Sequence, residues 1–246
     1  MARVDAIPWL TALLLLACTA CNQGRVQTVQ NYEGAPLPKP DRILVRDFAL
    51  SPEDVRLDQG VRARLMQAFS NTSVSTAKAQ AARAATASLA NDLVASLRRE
   101  GLPAERAFGS DVPASENVVL VEGQIVSIDQ GNRTRRTLVG LGAGKSSLGA
   151  DVQVYFRGAR SSPRLLQTFE ADADSGRAPG AAETMGAGAA AGTGIAASAA
   201  ASMGLHEVSE RRSAGDTDNA RRVADALAPK LRQLFETQGW VQAASR

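Results

Sequence analysis

Residues able to do chemistry fall in a few places. In "VGLGAGKSSLG", Val139 to Gly149, the triplet Gly144-Lys145-Ser146 reproduces the end of a phosphate-binding loop. There, glycines let backbone N–H groups close around phosphate, lysine reaches the outer phosphates and the hydroxyl holds magnesium. The full pattern needs a glycine at position 139, where Val139 stands, and Gly140 comes one place late. Such a loop must also feed the N-terminus of a helix, whereas "SSLGADVQVYF" leads into an alternating strand. Nucleotide binding is not expected. In "EADAD", Glu170, Asp172 and Asp174 share one face of a strand and would suit calcium or proton transfer; a solvated face is the simpler reading. The single histidine, His206, stands without a partner for nucleophilic catalysis and reads as an incidental surface residue. Two cysteines and one histidine cannot supply a four-ligand zinc site. No enzyme activity and no cofactor are expected.

The cysteines, Cys18 and Cys21, instead close an apolar run. Arg3 leads into "IPWLTALLLLA", Ile7 to Ala17, the pattern of a secretory signal. The run is shorter than the roughly twenty residues a membrane-spanning helix needs. "Leu15-Leu16-Ala17-Cys18" resembles the lipobox of bacterial lipoproteins. The resemblance implies that residues 1–17 are a signal peptide and that Cys18 becomes the first residue, carrying a diacylglyceryl thioether and an N-acyl chain such as palmitate. "Cys18-Thr19-Ala20-Cys21" leaves Cys21 as the alternative acceptor; an unlipidated secreted chain with a Cys18–Cys21 disulfide is the remaining option. Two or three acyl chains, at about 0.8 kcal/mol per buried methylene, anchor firmly where one does not. Neither Thr19 nor Asn22 is the Asp that marks retention at the inner membrane in that family, so the implied address is the periplasmic face of the outer membrane.

These residues need elements to position them. Net charge is only +3, with no basic stripe interleaved with aromatics, so nucleic acid is not an expected partner. Arg133 to Arg136, "RTRR", is the densest basic patch and reads as a solvated strand face. Residues 18–40, ending in "GAPLPKP", read as a lipidated extended tether. Residues 41–240 read as a single α/β domain and 241–246 as a tail. "RILVRDFAL" from Arg42 is a strand, a short helix follows around Val61 to Phe69, and Ser75 to Glu100 is the clearest helix. Ala82, Ala85, Leu89, Leu93 and Leu97 form its inner face, Ser75 or Thr76 caps it, and Gly101 with Pro103 stops it. "NVVLVEGQIVSID" is a strand with a bulge at Gly123. "RTRRTLV" is its return strand, and "ADVQVYFRG" and "RLLQTFEADAD" are two more. Asp216 to Gln238 is an amphipathic helix with Ala220, Val223, Leu227, Leu231, Leu234 and Phe235 inside, broken or kinked at Pro229. Asp216 caps it, Gly239 ends it and Trp240 pins the C-terminus. The order predicts a two-layer sandwich: a mostly antiparallel sheet of about five strands, with helices packed on it.

Two segments are unusual. Leu138, Val139, Leu141 and Leu148 make the glycine loop apolar, so it either packs on the domain or touches a membrane or partner. Residues 180–204 are an Ala/Gly-rich segment in which Gly188 and Gly192 belong to a small-residue repeat of four. Such spacing lets helices approach closely in membranes or assemblies, and equally suits packing on the domain's own surface.

The lipobox, "RILVRDF", the Ala-rich helix, "GNRTRRTLVGLGAGKSSLGADVQVY", the Gly/Ala segment and "ARRVADALAPKLRQLFETQGW" together resemble a family of bacterial lipoproteins, the domain of unknown function numbered 4410. The resemblance implies no catalytic residues. More distantly, the layout is similar to periplasmic lipoproteins that activate cell-wall synthases or build export pores. The reading is an outer-membrane-anchored periplasmic lipoprotein that binds or helps assemble an unidentified envelope protein without catalysis. The alternative is a self-assembling or pore-forming lipoprotein using the apolar loop and the small-residue segment.

Overall fold

The computed structural model describes residues 24–60, 63–65, 69, 73–108, 115–132, 135, 143–176 and 216–242. Cys18, Cys21, Leu138, Val139, Leu141, Gly188, Gly192 and His206 lie outside the described residues.

The described strands form one open, mostly antiparallel seven-stranded sheet. They are β1 (Arg25–Asn31), β2 (Arg42–Val45), β3 (Val55–Arg56), β4 (Ala104–Arg106), β5 (Val118–Asp129), β6 (Ser147–Arg157) and β7 (Arg164–Asp174). Their order is β1-β7-β6-β5-β2-β4, and β3 continues the β2 side of β5 further along. The helices α1 (Val74–Arg99) and α2 (Asp216–Thr237) cover one face.

The alternation of β6 does what its pattern predicts. Leu148, Ala150, Val152, Val154 and Phe156 face the helices and are buried, while Asp151, Gln153, Tyr155 and Arg157 are not. On α1, Ala82, Ala85, Leu89, Leu93 and Leu97 are all buried; so are Ala220, Val223, Leu227, Leu231, Leu234 and Phe235 on α2. Each fully buried Leu, Val or Phe contributes about 1.5–3 kcal/mol, so this layer is the main source of stability. The helices run parallel: Ser96 Oγ donates to Asp225 Oδ1 at 2.7 Å, and Arg232 Nη1 to the Glu100 carbonyl at 2.5 Å. Leu44, Val118 and Leu120 form a small second cluster on the other face.

Several expectations need correction. The stretch read as a tether contains β1, which pairs antiparallel with β7 from Arg25↔Asp172 to Asn31↔Gln167. Its polar composition hid a strand of which one side chain, Val26, reaches the core. Leu37 then lies along the domain, its carbonyl accepting the Trp240 indole N–H at 2.8 Å. The return strand of β5 is β6, register closing at Asp129↔Ser147; of "RTRRTLV" only Arg135 is among the described residues, and it is helical. The β5 irregularity lies between Ile125 and Ser127, not at Gly123. Gly123 instead allows close approach, because a Cβ there would sit 2.0 Å from the Asp151 carbonyl oxygen. The cap of α1 is Ser73, whose hydroxyl accepts from the Thr76 N–H at 3.1 Å, ahead of the predicted Ser75 or Thr76. Finally, α2 continues through Pro229 without a break. Pro229 is exposed, and packing of the inner face on both sides outweighs the one lost hydrogen bond.

Candidate functional site

Gly144-Lys145-Ser146 sits at one end of the sheet, immediately before strand β6. The hairpin of β5 and β6 extends just beyond its strands: the Asn132 N–H donates to the Gly144 carbonyl at 2.9 Å. Gly144 has φ +73°, and a Cβ there would lie 2.6 Å from the Asn132 carbonyl oxygen, so the position requires glycine.

Just before β6, Lys145 and Ser146 turn in different directions. Lys145 Nζ donates to Asp174 Oδ2 at 2.6 Å, at the end of β7. Burial raises the Asp174 carboxyl's affinity for a proton. The Lys145 hydrogen bond, the Gly176 N–H and the charges of Lys145 and Arg25 outweigh it and hold the group below its ordinary pKa. Ser146 is fully buried. Its hydroxyl accepts from Asn219 Nδ2 at 3.1 Å, its N–H donates to Ser175 Oγ at 3.1 Å, and its carbonyl accepts the Ser175 N–H at 2.9 Å. Asn219, also fully buried in the first turns of α2, accepts from Arg222 Nη1 at 2.7 Å, and Arg222 Nη1 also reaches the Asp174 carbonyl at 3.1 Å. Burial pulls the Arg222 guanidinium below its ordinary pKa against the attraction of Asp218 and Asp174. Hydroxyl, amide, ammonium and guanidinium thus tie the end of β7, the start of β6 and the start of α2 into one polar junction.

The same end gathers several of the places where the chain leaves and re-enters the sheet. Gly24, next to β1, lies against α2; a Cβ there would come 2.5 Å from the Arg222 carbonyl oxygen. Asn132 and Gly144 are the roots of residues 133–142, and Gly176 and Asp216 those of residues 177–215. The Gln59 N–H donates to the Gly131 carbonyl at 3.0 Å, which brings the segment after β3 to this end. Beside it an open hollow of about 830 Å³ is lined by Leu57, Gln59, Val74, Ala77, Ala81 and Gln130, among others.

The predicted site residues fare differently. Leu148, expected to contact a partner or membrane, is 1% exposed in the core between sheet and helices, because β6 begins one residue before it. Glu170, Asp172 and Asp174 do share a face; Glu170 and Asp172 are exposed, and only Asp174 enters the junction. Among the described residues no group of three or more His, Cys, Asp or Glu could hold a metal ion, and no helix is long and apolar enough to cross a membrane. Asn219, Arg222 and Ser175 were not among the site residues expected from the sequence. A buried Asn at the start of an amphipathic helix was the available signal, since position 219 falls beside Ala220 on the inner face.

The fold and this junction define a two-layer α/β domain with an open sheet, the segments 133–142 and 177–215 being rooted at one of its ends. Residues 43–192 match the model of the family described as Domain of unknown function (DUF4410), and the chain belongs to that family. No curated protein matches the sequence. A solved PelC dodecamer from Paraburkholderia phytofirmans is similar at 12% identity and a TM-score of 0.31, with 83% of this chain and 98% of that chain covered.

Proposed function

We propose that this protein is a lipid-anchored envelope lipoprotein of the periplasmic face of the outer membrane that binds a partner protein by strand addition. One observation carries the binding half. The sheet ends at β1, and none of the described strands pairs with its outer edge. β1 is seven residues long with six of its side chains exposed. An extended segment can add to such an edge through main-chain hydrogen bonds, with side chains supplying specificity. The register shift between Thr28 and Gln30 limits indiscriminate pairing and leaves Arg25–Thr28 as the regular stretch. The lipobox supports the anchoring half.

The test places a photo-crosslinking side chain at Gln27 in cells. A discrete adduct with an envelope protein is expected, and Val29→Lys, which puts a charge on an edge residue 58% exposed, weakens it. An adduct indifferent to Val29→Lys, or none, removes the strand-addition reading. Palmitate labelling lost in Cys18→Ser but kept in Cys21→Ser assigns the lipid to Cys18; the reverse assigns it to Cys21. The self-assembling alternative draws on one observation, that the segments holding Leu138, Val139, Leu141, Gly188 and Gly192 are rooted side by side.

A further inference from the structure

We infer that the end of the sheet carrying the polar junction faces the lipid surface, so that the domain stands on the membrane with its C-terminal end pointing away. The inference rests on the lipid-anchor reading and adds an orientation to it. The chain enters the domain at Gly24, beside Arg222 of α2, and β1 starts level with the last residues of β7, Arg25 opposite Asp172. From Cys18 or Cys21 to Gly24 a fully stretched chain reaches about 20 Å or about 10 Å. β6 has eleven residues, which makes the sheet about 35 Å long along that strand. The anchor therefore cannot reach around to the opposite end, where the β6–β7 turn, Leu37 and Trp240 lie.

A second observation agrees. Large apolar side chains exposed at this end are Leu65 at 56% and Val74 at 55%. Val74 opens α1 and lines the hollow with Gln130, the residue after β5; Ala63 and Arg64, next to Leu65, line it too. Among the described residues, other exposed large apolar side chains are Val29 on β1, Phe108 beyond β4 and Val126 in the last third of β5. Exposed apolar side chains next to a short lipid tether gain by entering the boundary between headgroups and acyl chains. The occupant of this end is a phospholipid surface.

Tryptophan fluorescence tests the orientation. The sequence has two tryptophans, and removal of residues 1–17 leaves Trp240, buried at the far end. The lipidated full-length product is reconstituted in phosphatidylcholine vesicles with brominated acyl chains, which quench nearby indoles. Val74→Trp and Leu65→Trp each add an indole at the junction end; Ser162→Trp adds one in the exposed β6–β7 turn. The junction-end reporters should lose most of their added emission, while Ser162→Trp and native Trp240 keep nearly all of theirs. Equal quenching at both ends, or stronger quenching of Ser162→Trp, overturns the orientation, as does a lipidated chain whose junction-end reporters stay bright because a protein covers them. A mass spectrum without lipid on Cys18 or Cys21 overturns the anchoring reading itself, and the two failures are thereby told apart.

Discussion

The two ends of the sheet differ in what ties them. At the far end apolar rings pack together, beside the ion pairs of Arg42 with Glu105 and Glu116. Trp240 meets Phe235 at 5.2 Å and Phe156 at 5.8 Å between ring centroids, and its N–H ends on the Leu37 carbonyl. Gly101 and Gly239, both at positive φ, stop the two helices there. At the junction end, side-chain hydrogen bonds and ion pairs, Lys145–Asp174 and Arg56–Asp129 among them, do the tying, and the chain departs for residues 133–142 and 177–215. Apolar ring packing closes the end where α2 finishes. Directional polar bonds can hold strand and helix ends in place around exits through which long segments pass, because they fix positions without filling volume.

The contrast has measurable consequences. Trp240→Ala removes both ring contacts and the indole donor. It should cost about 3–5 kcal/mol, lowering the unfolding midpoint by roughly 10 °C for a domain of this size, as read by thermal circular dichroism. A loss under a few degrees would mean that the far end is not the stability centre. Asn219→Ala takes the donor from Ser146 and the acceptor from Arg222 and should cost about 1–3 kcal/mol in urea unfolding. If it is neutral, the junction does not lock α2 to β6.

Lys145→Met should have the smallest effect. Its side chain is 52% exposed, so solvent screening holds the expected loss to about 0.2–1 kcal/mol. Its pH dependence is the sharper reading. The folded Asp174 carboxyl lies below its ordinary pKa, so its contribution is fully present above the unfolded value of about 3.9. It is lost as pH falls through the lower folded value. The stability gap between the parent and Lys145→Met should therefore shrink from pH 7 to the acid limb. A gap that does not change with pH would show that the 2.6 Å pair contributes nothing through charge.

Much of the fold was legible. The inner faces of α1 and α2 and the alternation of β6 were read correctly, because a helix and a half-buried strand repeat their apolar residues at fixed periods. β1 escaped, since an edge strand with one residue reaching the core has almost no such period. β3 and β4 escaped because two or three residues are too few to show one. The return strand was misplaced for a different reason: "RTRRTLV" has strand composition, and only pairing tells which segment lies opposite β5. The candidate site was less legible than the fold. Leu148 was read with its apolar loop neighbours, though it belongs to β6 and points inward.

By itself the sequence determined the periodic apolar faces, the stop signals at Gly101 and Gly239, and the chemistry available at Gly144-Lys145-Ser146. Those are local properties, set by side-chain type and spacing. Only the tertiary structure decided what that triplet touches. Lys145 finds Asp174 and Ser146 finds Asn219 across long sequence separations, and the partners are chosen by strand register and helix packing. The same long-range geometry gathers Gly24, Asn132, Gly144, Gly176 and Asp216 at one end of the sheet, a proximity that no spacing along the chain encodes.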